Sequence, residues 1–292
     1  MITVYIPTYN FNERYINDAC ASVFLQKCLF NINIVLLYGG GNMGITELEN
    51  ITKLYNNIQV IDNSVMQGIA HNWNYALKNC ETKYFTILHQ DDVLEPTYIS
   101  EMVATLENHS DWSLIYCDNY TIDKEGNRHT HFVDIVKKLN RGKEISIESL
   151  KPLLKFPIIT CPTVMYRTKD AKKIGLFSEV YKNELDWEYW LRTVFMGYKI
   201  GYLNKRLYSY RRHGENESKK NEINLIKYNE CQKLFEEYYE KYSDIYQKNG
   251  INKHNLMRPV FMMGLKDLMS SLLKTKHFNT HLFKFITNLK GN

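Results

Sequence analysis

The sequence predicts an α/β protein: a Rossmann-like three-layer α/β/α domain followed by a C-terminal helical extension. Over the first 95 residues, short apolar runs rich in β-branched side chains alternate with helical patterns. Strands separated by single short helices imply parallel crossovers and helices on both faces of one sheet. From Glu215 onward the chain is helical in pattern, rich in Lys and Asn and poor in Gly, which marks an appendage.

In order, strands are expected at Thr3–Pro7, Ile32–Tyr38, Ile58–Asp62 and Tyr84–His89, with helices at Arg14–Gln26, Ile45–Tyr55 and Asn72–Asn79. Ligands in such sheets bind beyond the carboxyl ends of the strands. Four loops therefore matter: Pro7–Asn10, Tyr38–Gly44, Asp62–Gly68 and His89–Asp92. Further along, Ser113–Tyr116 is strand-like, and Y-T-I-D-K-E-G-N-R-H from Tyr120 predicts a hairpin around Glu125-Gly126-Asn127. K-K-L-N-R-G-K-E from Lys137 predicts an exposed loop. Thr163–Tyr166 and Lys199–Leu203 are strand-like and flank a helix starting near Asp186.

Composition narrows the class. With 44% hydrophobic and 24% charged residues, the 292-residue chain has material for a packed core and is neither disordered nor fibrous. Its net charge of +5 suits a phosphate-bearing ligand or an anionic membrane surface, but is too small to indicate nucleic acid. The opening I-T-V-Y-I-P is laid out as a strand and not as a signal peptide, and no run has the roughly 18 apolar residues of a spanning helix. Six cysteines without a C-x-x-C pair predict free thiols in a cytoplasmic protein.

The loop after the second strand contains a literal G-x-G-x-x-G at Gly39, Gly41 and Gly44, with Asp62 eighteen residues further on. That is the fingerprint of a dinucleotide site, and it keeps an NAD(P)-dependent oxidoreductase among the alternatives. The fingerprint normally follows the first strand, however, and here a strand and a helix precede it. A close-packed or mobile loop on the nucleotide side is the favoured expectation.

Three other constellations carry chemistry. K-Y-F-T-I-L-H-Q-D-D-V-L-E-P delivers Asp91 and Asp92 to a sheet edge. Asp92 and Glu95 have the spacing of a helix capping box, but paired carboxylates there are equally suited to a divalent cation that neutralises a diphosphate. In E-L-D-W-E-Y-W-L-R, the stripe Trp187, Trp190, Leu191 and Val194 reads as core. Asp186 stands at the expected helix start, either as N-cap or as a general base kept ionised by the helix terminus. Y-R-R-H-G-E-N-E-S, from Tyr210, is either a clamp for phosphate oxygens or a solvated linker.

Seven short motifs stand in one order: P-T-Y-N at Pro7, G-I-A-H-N-W-N at Gly68, I-L-H-Q-D-D-V-L-E-P at Ile87, P-T-V-M-Y-R at Pro162, I-G-L-F-S-E at Ile174, D-W-E-Y-W-L-R at Asp186 and Y-R-R-H at Tyr210. In that order they resemble the family 2 inverting glycosyltransferases of GT-A fold, over residues 1–218, leaving 219–292 as the helical extension. The resemblance implies a nucleotide-sugar donor, bound by Pro7, Thr8, Tyr9, Tyr38, Asp62, Gly68, Asn72, His89, Gln90, Asp92, Arg211, Arg212 and Ser218. It implies a divalent metal, Mn²⁺ or Mg²⁺, at Asp91 and His213, and Asp186 as the base that deprotonates the acceptor hydroxyl. Two departures from the family pattern stand out. Tyr38 and Gly39 replace paired acids that help to recognise the base, and His89 replaces the first acid of the D-x-D motif. They leave a catalytically silent binding protein of the same fold as another alternative.

The implied acceptor is a glycan or lipid-linked glycan in cell-surface polysaccharide synthesis. Near the C-terminus, Phe261, Leu265, Leu268, Met269 and Leu272 form an apolar helical stripe beside lysines. It either packs on the catalytic domain or rests on an anionic membrane at the inner face of the cell membrane.

Overall fold

A computed structural model describes residues 1–29, 31–41, 44–55, 57–65, 68–213 and 226–252. The first half runs β1 (Ile2–Thr8), α1 (Glu13–Phe24), β2 (Ile32–Tyr38), α2 (Ile45–Thr52), β3 (Ile58–Asp62), α3 (Ile69–Asn79) and β4 (Tyr84–Ile87). Strands β3, β2, β1 and β4 lie side by side and parallel, as the alternating pattern implies. Along β1, Val4 and Ile6 join one buried cluster and Tyr5 the other. Side chains two apart share a face, so the sheet is buried on both sides and the three-layer expectation holds.

The second half is β5 (Val93–Leu94), α4 (Tyr98–Asn108), β6 (Trp112–Ile122), β7 (Arg128–His129), α5 (Phe132–Leu139), β8 (Glu144–Ile145), α6 (Lys151–Lys155), a 3-10 turn (Cys161–Thr163), β9 (Val164–Arg167), α7 (Thr168–Ile174), α8 (Leu185–Phe195) and β10 (Lys199–Arg211). Here the sheet is not uniformly parallel. β9 inserts between β4 and β6 and is antiparallel to both, while β10 runs parallel to β6. The hairpin around Gly126 forms as expected, with β7 pairing β6.

Three local expectations are corrected. Asp92 and Glu95 do not cap a helix: Val93 and Leu94 pair with β10 instead, and α4 begins only at Tyr98, after Pro96. β10 does not stop at Leu203. Register shifts between Leu203 and Tyr208 let it bend and continue to Arg211. The stretch from Lys137 is not an exposed loop, since it starts inside α5 and its Arg141 side chain is 2% exposed, bound to Asp118.

One glycine shows how tightly the sheet packs. A Cβ on Gly201 in β10 would lie 1.9 Å from the ring of Trp112. That indole is buried, stacks on His109 at 3.8 Å and donates to Glu144 Oε2 at 2.8 Å, so it has no room to yield. Gly201→Ala is expected to destabilise the protein by about 3 kcal/mol. A shift of the urea midpoint at unchanged slope would report it.

The described part of the C-terminal segment forms α9 (Ile226–Lys241) and α10 (Ser243–Lys248). Cys231, Leu234, Phe235 and Tyr246 are buried within the same cluster as the α8 tryptophans. The apolar stripe from Phe261 and the residue Ser218 lie outside the described residues. No helix among the described residues is long and apolar enough to cross a membrane.

Candidate active site

The site lies at the carboxyl ends of β1, β2, β3 and β4 and is completed by the ends of β10 and the start of α8. On its first side, Thr8 is buried and donates to Leu37 O at 3.1 Å, tying the ends of β1 and β2. Gln90 binds the backbone of Tyr9 twice, accepting from its N–H and donating to its carbonyl, each at 2.9 Å. The Tyr9 ring is left 49% exposed beside this clamp.

The glycine loop is closely packed. A Cβ at Gly39 would meet Asn72 Nδ2 at 2.7 Å and Thr8 O at 2.9 Å, and one at Gly41 would meet the Asn10 backbone nitrogen at 2.5 Å. Gly41 also holds a φ of +118°, which side-chain-bearing residues rarely adopt. Asn72 is buried and accepts from Asn63 Nδ2 at 2.7 Å, so it joins the loops after β2 and β3. Tyr38 and Asp62 are register partners at the ends of β2 and β3. Asp62 is exposed and accepts from the Ser64 backbone N–H at 2.9 Å, while Gly68 opens α3 with a φ of +129°.

The acids beyond β4 divide their work. Asp92 is fully buried, accepting from Tyr208 Oη at 2.9 Å and from the Arg211 backbone N–H at 2.7 Å. Burial and the neighbouring charge of Asp91 push its carboxyl well above the usual range. Asp92 thus braces β10 against β4. Asp91 is more accessible, and its Oδ2 lies 2.8 Å from His213 Nε2. The metal pair implied by the resemblance therefore stands together, although 122 residues separate the two in sequence. His89, Asp91 and Asp92 also place one ligand atom each within 4.8 Å of one another. His89 stacks on Trp73, with centroids 5.9 Å apart.

Of the two arginines, Arg211 is turned inward. Arg211 is 1% exposed: its Nε donates to Asp91 O at 2.7 Å and its Nη2 to Asp18 Oδ2 at 2.9 Å. Its guanidinium holds the Asp91 loop in place from inside. Arg212 lies over the Tyr210 ring at 5.1 Å, and its buried Nε has no hydrogen-bond partner among the described residues.

Asp186 stands in the first turn of α8, one residue inside the helix and not at the cap, which is Glu184. The helix is fixed by the predicted stripe: Trp187, Trp190, Leu191 and Val194 are all buried, and Trp187 Nε1 donates to Leu153 O at 2.8 Å. Asp186 Oδ1 accepts from the Trp187 backbone N–H at 2.7 Å. Burial raises the Asp186 carboxyl above its ordinary value, opposed by that N–H and by the charge of Lys137. The helix terminus alone was expected to favour the ionised form; desolvation outweighs it.

Lys137 is a residue that sequence reasoning missed. It donates to Ile159 O at 3.1 Å and Thr160 Oγ1 at 3.4 Å, just before the turn that carries Cys161 against Asp186. Burial, then the charge of Arg141, lower the Lys137 ammonium to about 7, while Asp134 and Asp186 oppose them. Burial, then the charge of Asp186 with a smaller contribution from Asp92, pushes the Cys161 thiol well up. All six cysteines are free, as expected.

A mixed sheet in this order, with an acidic loop beyond the fourth strand and a carboxylate at the start of α8, defines a GT-A glycosyltransferase. The family model for glycosyl transferase family 2 matches residues 3–175, and the chain belongs to that family. It is similar to an uncharacterized glycosyltransferase of Methanocaldococcus jannaschii, 26% identical over 215 residues, or 72% of this chain and 70% of that one. It is similar to another from Rickettsia typhi, 28% identical over 66% of this chain and 58% of that one. Chondroitin synthase of Pasteurella multocida is 26% identical over 76% of this chain, which takes in 22% of that protein. Among solved structures, residues 1–349 of S. aureus TarS in complex with UDP-GlcNAc align with a TM-score of 0.59 at 16% identity, covering 91% of this chain and 80% of that one. Mannosyltransferase PcManGT from Pyrobaculum calidifontis, in complex with GDP-Man and Mn²⁺, aligns with a TM-score of 0.59 at 14% identity, covering 79% and 61%.

Proposed function

We propose that the protein is a metal-dependent inverting glycosyltransferase that moves a sugar from a nucleoside-diphosphate donor to a glycan or lipid-linked glycan in cell-surface polysaccharide synthesis. The observation that carries this is a pair of half-buried carboxylates with different partners. Asp91 lies against His213 beside the loops of the donor side, whereas Asp186, in the first turn of α8, is raised by desolvation, the condition of a proton acceptor. A UDP-sugar is the first-choice donor and a dTDP-sugar the next. The UDP-GlcNAc complex of TarS supports the first, and Tyr38 in place of the family's acids keeps the second open.

The chain's own groups divide the work. Tyr9 and Tyr38 offer rings for the base, and Asp62 a carboxylate for base or ribose. Asp91, which pairs with His213 on one side and lies within 4.8 Å of His89 on the other, offers a carboxylate among imidazoles, donors that suit Mn²⁺ better than Mg²⁺. A divalent ion there would neutralise the charge that develops on the departing diphosphate. Asp186 takes the proton of the acceptor hydroxyl as that oxygen attacks the anomeric carbon. The bond to the diphosphate breaks on the opposite face, so the configuration inverts. The test is product stereochemistry: an α-linked donor must yield a β-linked product by NMR, and an α-linked product would contradict inversion.

The environment of Asp186 sets a pH dependence. Around it stand Lys137 from α5, Cys161 from the 3-10 turn, Tyr166 from β9, Lys227 and Cys231 from α9, and Glu184 at its own helix cap. A base works only when ionised, so activity is present above the raised Asp186 value and is lost as pH falls through it. Lys137 opposes that rise. Lys137→Met should therefore move the acidic limb of the turnover profile upward by about one pH unit. An unmoved limb would contradict the coupling.

A further inference from the structure

The C-terminal segment looks in sequence like an appendage, yet it reaches the residues that lead into α8, the helix that carries Asp186. Glu230 in α9 collects three backbone N–H groups. Its Oε1 accepts from Lys182 at 2.8 Å, and its Oε2 accepts from Asn183 at 2.7 Å and Glu184 at 3.1 Å. These are the residues immediately before α8, and Glu184, its N-cap, makes no side-chain capping bond of its own. The Glu184 N–H is one of the donors a helix start leaves orphaned, and a carboxylate facing several amides is the strong form of the contact. Here it comes from 46 to 48 residues away in sequence.

The contact is one of a series along the same helix pair. Tyr181 donates to Glu237, Tyr238 Oη donates to Glu188 Oε1 at 2.9 Å, and Phe195 stacks on Tyr242 at 3.9 Å. One turn before Glu230, Lys227 lowers the values of both Glu184 and Asp186 by its charge. Glu184 itself is buried, pushed up to about 7 by burial and by Asp186.

We propose that the C-terminal segment is part of the transfer site, and that Glu230 is a positioning residue which sets Asp186 by gathering the backbone amides of Lys182, Asn183 and Glu184. This rests on Asp186 being the base. Without the carboxylate, residues 182–184 lose their common anchor and the first turn of α8 is free to fray. Asp186 sits two residues beyond. A displacement near 1 Å at a reacting group costs up to about 100-fold in rate, with little effect on donor binding by the loops after β1, β2 and β3.

The test uses the full chain and Glu230→Gln, which keeps shape and one acceptor oxygen but turns an NH₂ group toward the amides. Turnover is read as nucleoside diphosphate released from whichever UDP-, dTDP- or GDP-linked sugar the wild type consumes fastest. The expected result is a fall in kcat of about tenfold or more, an unchanged KM for the donor, and faster deuterium uptake over residues 182–190. Tyr242→Leu is the control: it removes a docking contact of the same segment far from Asp186, so it should lower the melting temperature and leave kcat near wild type. Should Glu230→Gln fold poorly, Glu230→Asp, which keeps the charge one methylene short, should give an intermediate kcat. Wild-type kcat in a folded Glu230 variant, unchanged deuterium uptake, or equal loss of kcat in Tyr242→Leu would overturn the proposal. If Asp186→Asn left turnover intact, the assignment of the base would fall instead.

Discussion

Asp186→Asn is expected to lower sugar transfer by about a thousandfold while leaving nucleotide binding and the melting temperature close to wild type. The amide keeps the shape of the side chain and an oxygen for the Trp187 N–H bond at 2.7 Å, so α8 has no reason to move. What it loses is the capacity to accept a proton. Positioned general bases contribute roughly 10²- to 10⁴-fold, and a base raised by burial is a stronger acceptor than an exposed carboxylate. Steady-state turnover beside calorimetric titration of the nucleotide separates the two effects. Retained turnover would remove Asp186 from the reaction. Full loss with binding intact would also exclude a silent binding protein.

Asp91→Ala should abolish the metal dependence of nucleotide binding and lower affinity at saturating Mn²⁺ by at least about 100-fold. Asp91 has the less buried carboxylate of the acidic loop and lies against His213 at 2.8 Å, whereas Asp92 is taken up by Tyr208 and Arg211. Asp92→Asn is a different perturbation. It strikes the brace between β4 and β10, so its first effect should be on stability. A melting curve distinguishes the two: Asp91→Ala should melt near wild type.

Much of the candidate site around β1 to β4 was legible in the sequence because it is local. The strands β1 to β4 are short apolar runs ending in turn residues, and each functional loop follows directly from the strand that carries it. The Trp187, Trp190, Leu191 and Val194 stripe was equally legible, because helical spacing alone marks a buried face. The rest depends on partners far apart in the chain. Nothing near Arg211 says that its guanidinium will be taken up by Asp18 and the Asp91 carbonyl, 193 and 120 residues away. Asp92 and Glu95 have capping-box spacing, but β10 claims Val93 and Leu94 first, and its bends between Leu203 and Tyr208 leave no local pattern. Lys137 and Arg141 look like a solvated basic stretch until α5 turns them toward the carbonyls of Ile158 and Ile159. Glu230 offered the least signal, one acid among several on a charged helix. The G-x-G-x-x-G is explained by packing: Gly39 and Gly41 lack space for a Cβ against Asn72, Thr8 and Asn10.

Asp91 and His213 are proposed to make a metal-assisted site for a nucleoside diphosphate. Calorimetric titration of UDP, dTDP, GDP and NAD into wild type and Asp91→Ala, each with and without Mn²⁺, tests it most directly. One nucleoside diphosphate binding only with Mn²⁺, and losing that binding in Asp91→Ala, is the predicted result and identifies the donor class. NAD binding that ignores both Mn²⁺ and the substitution would contradict it.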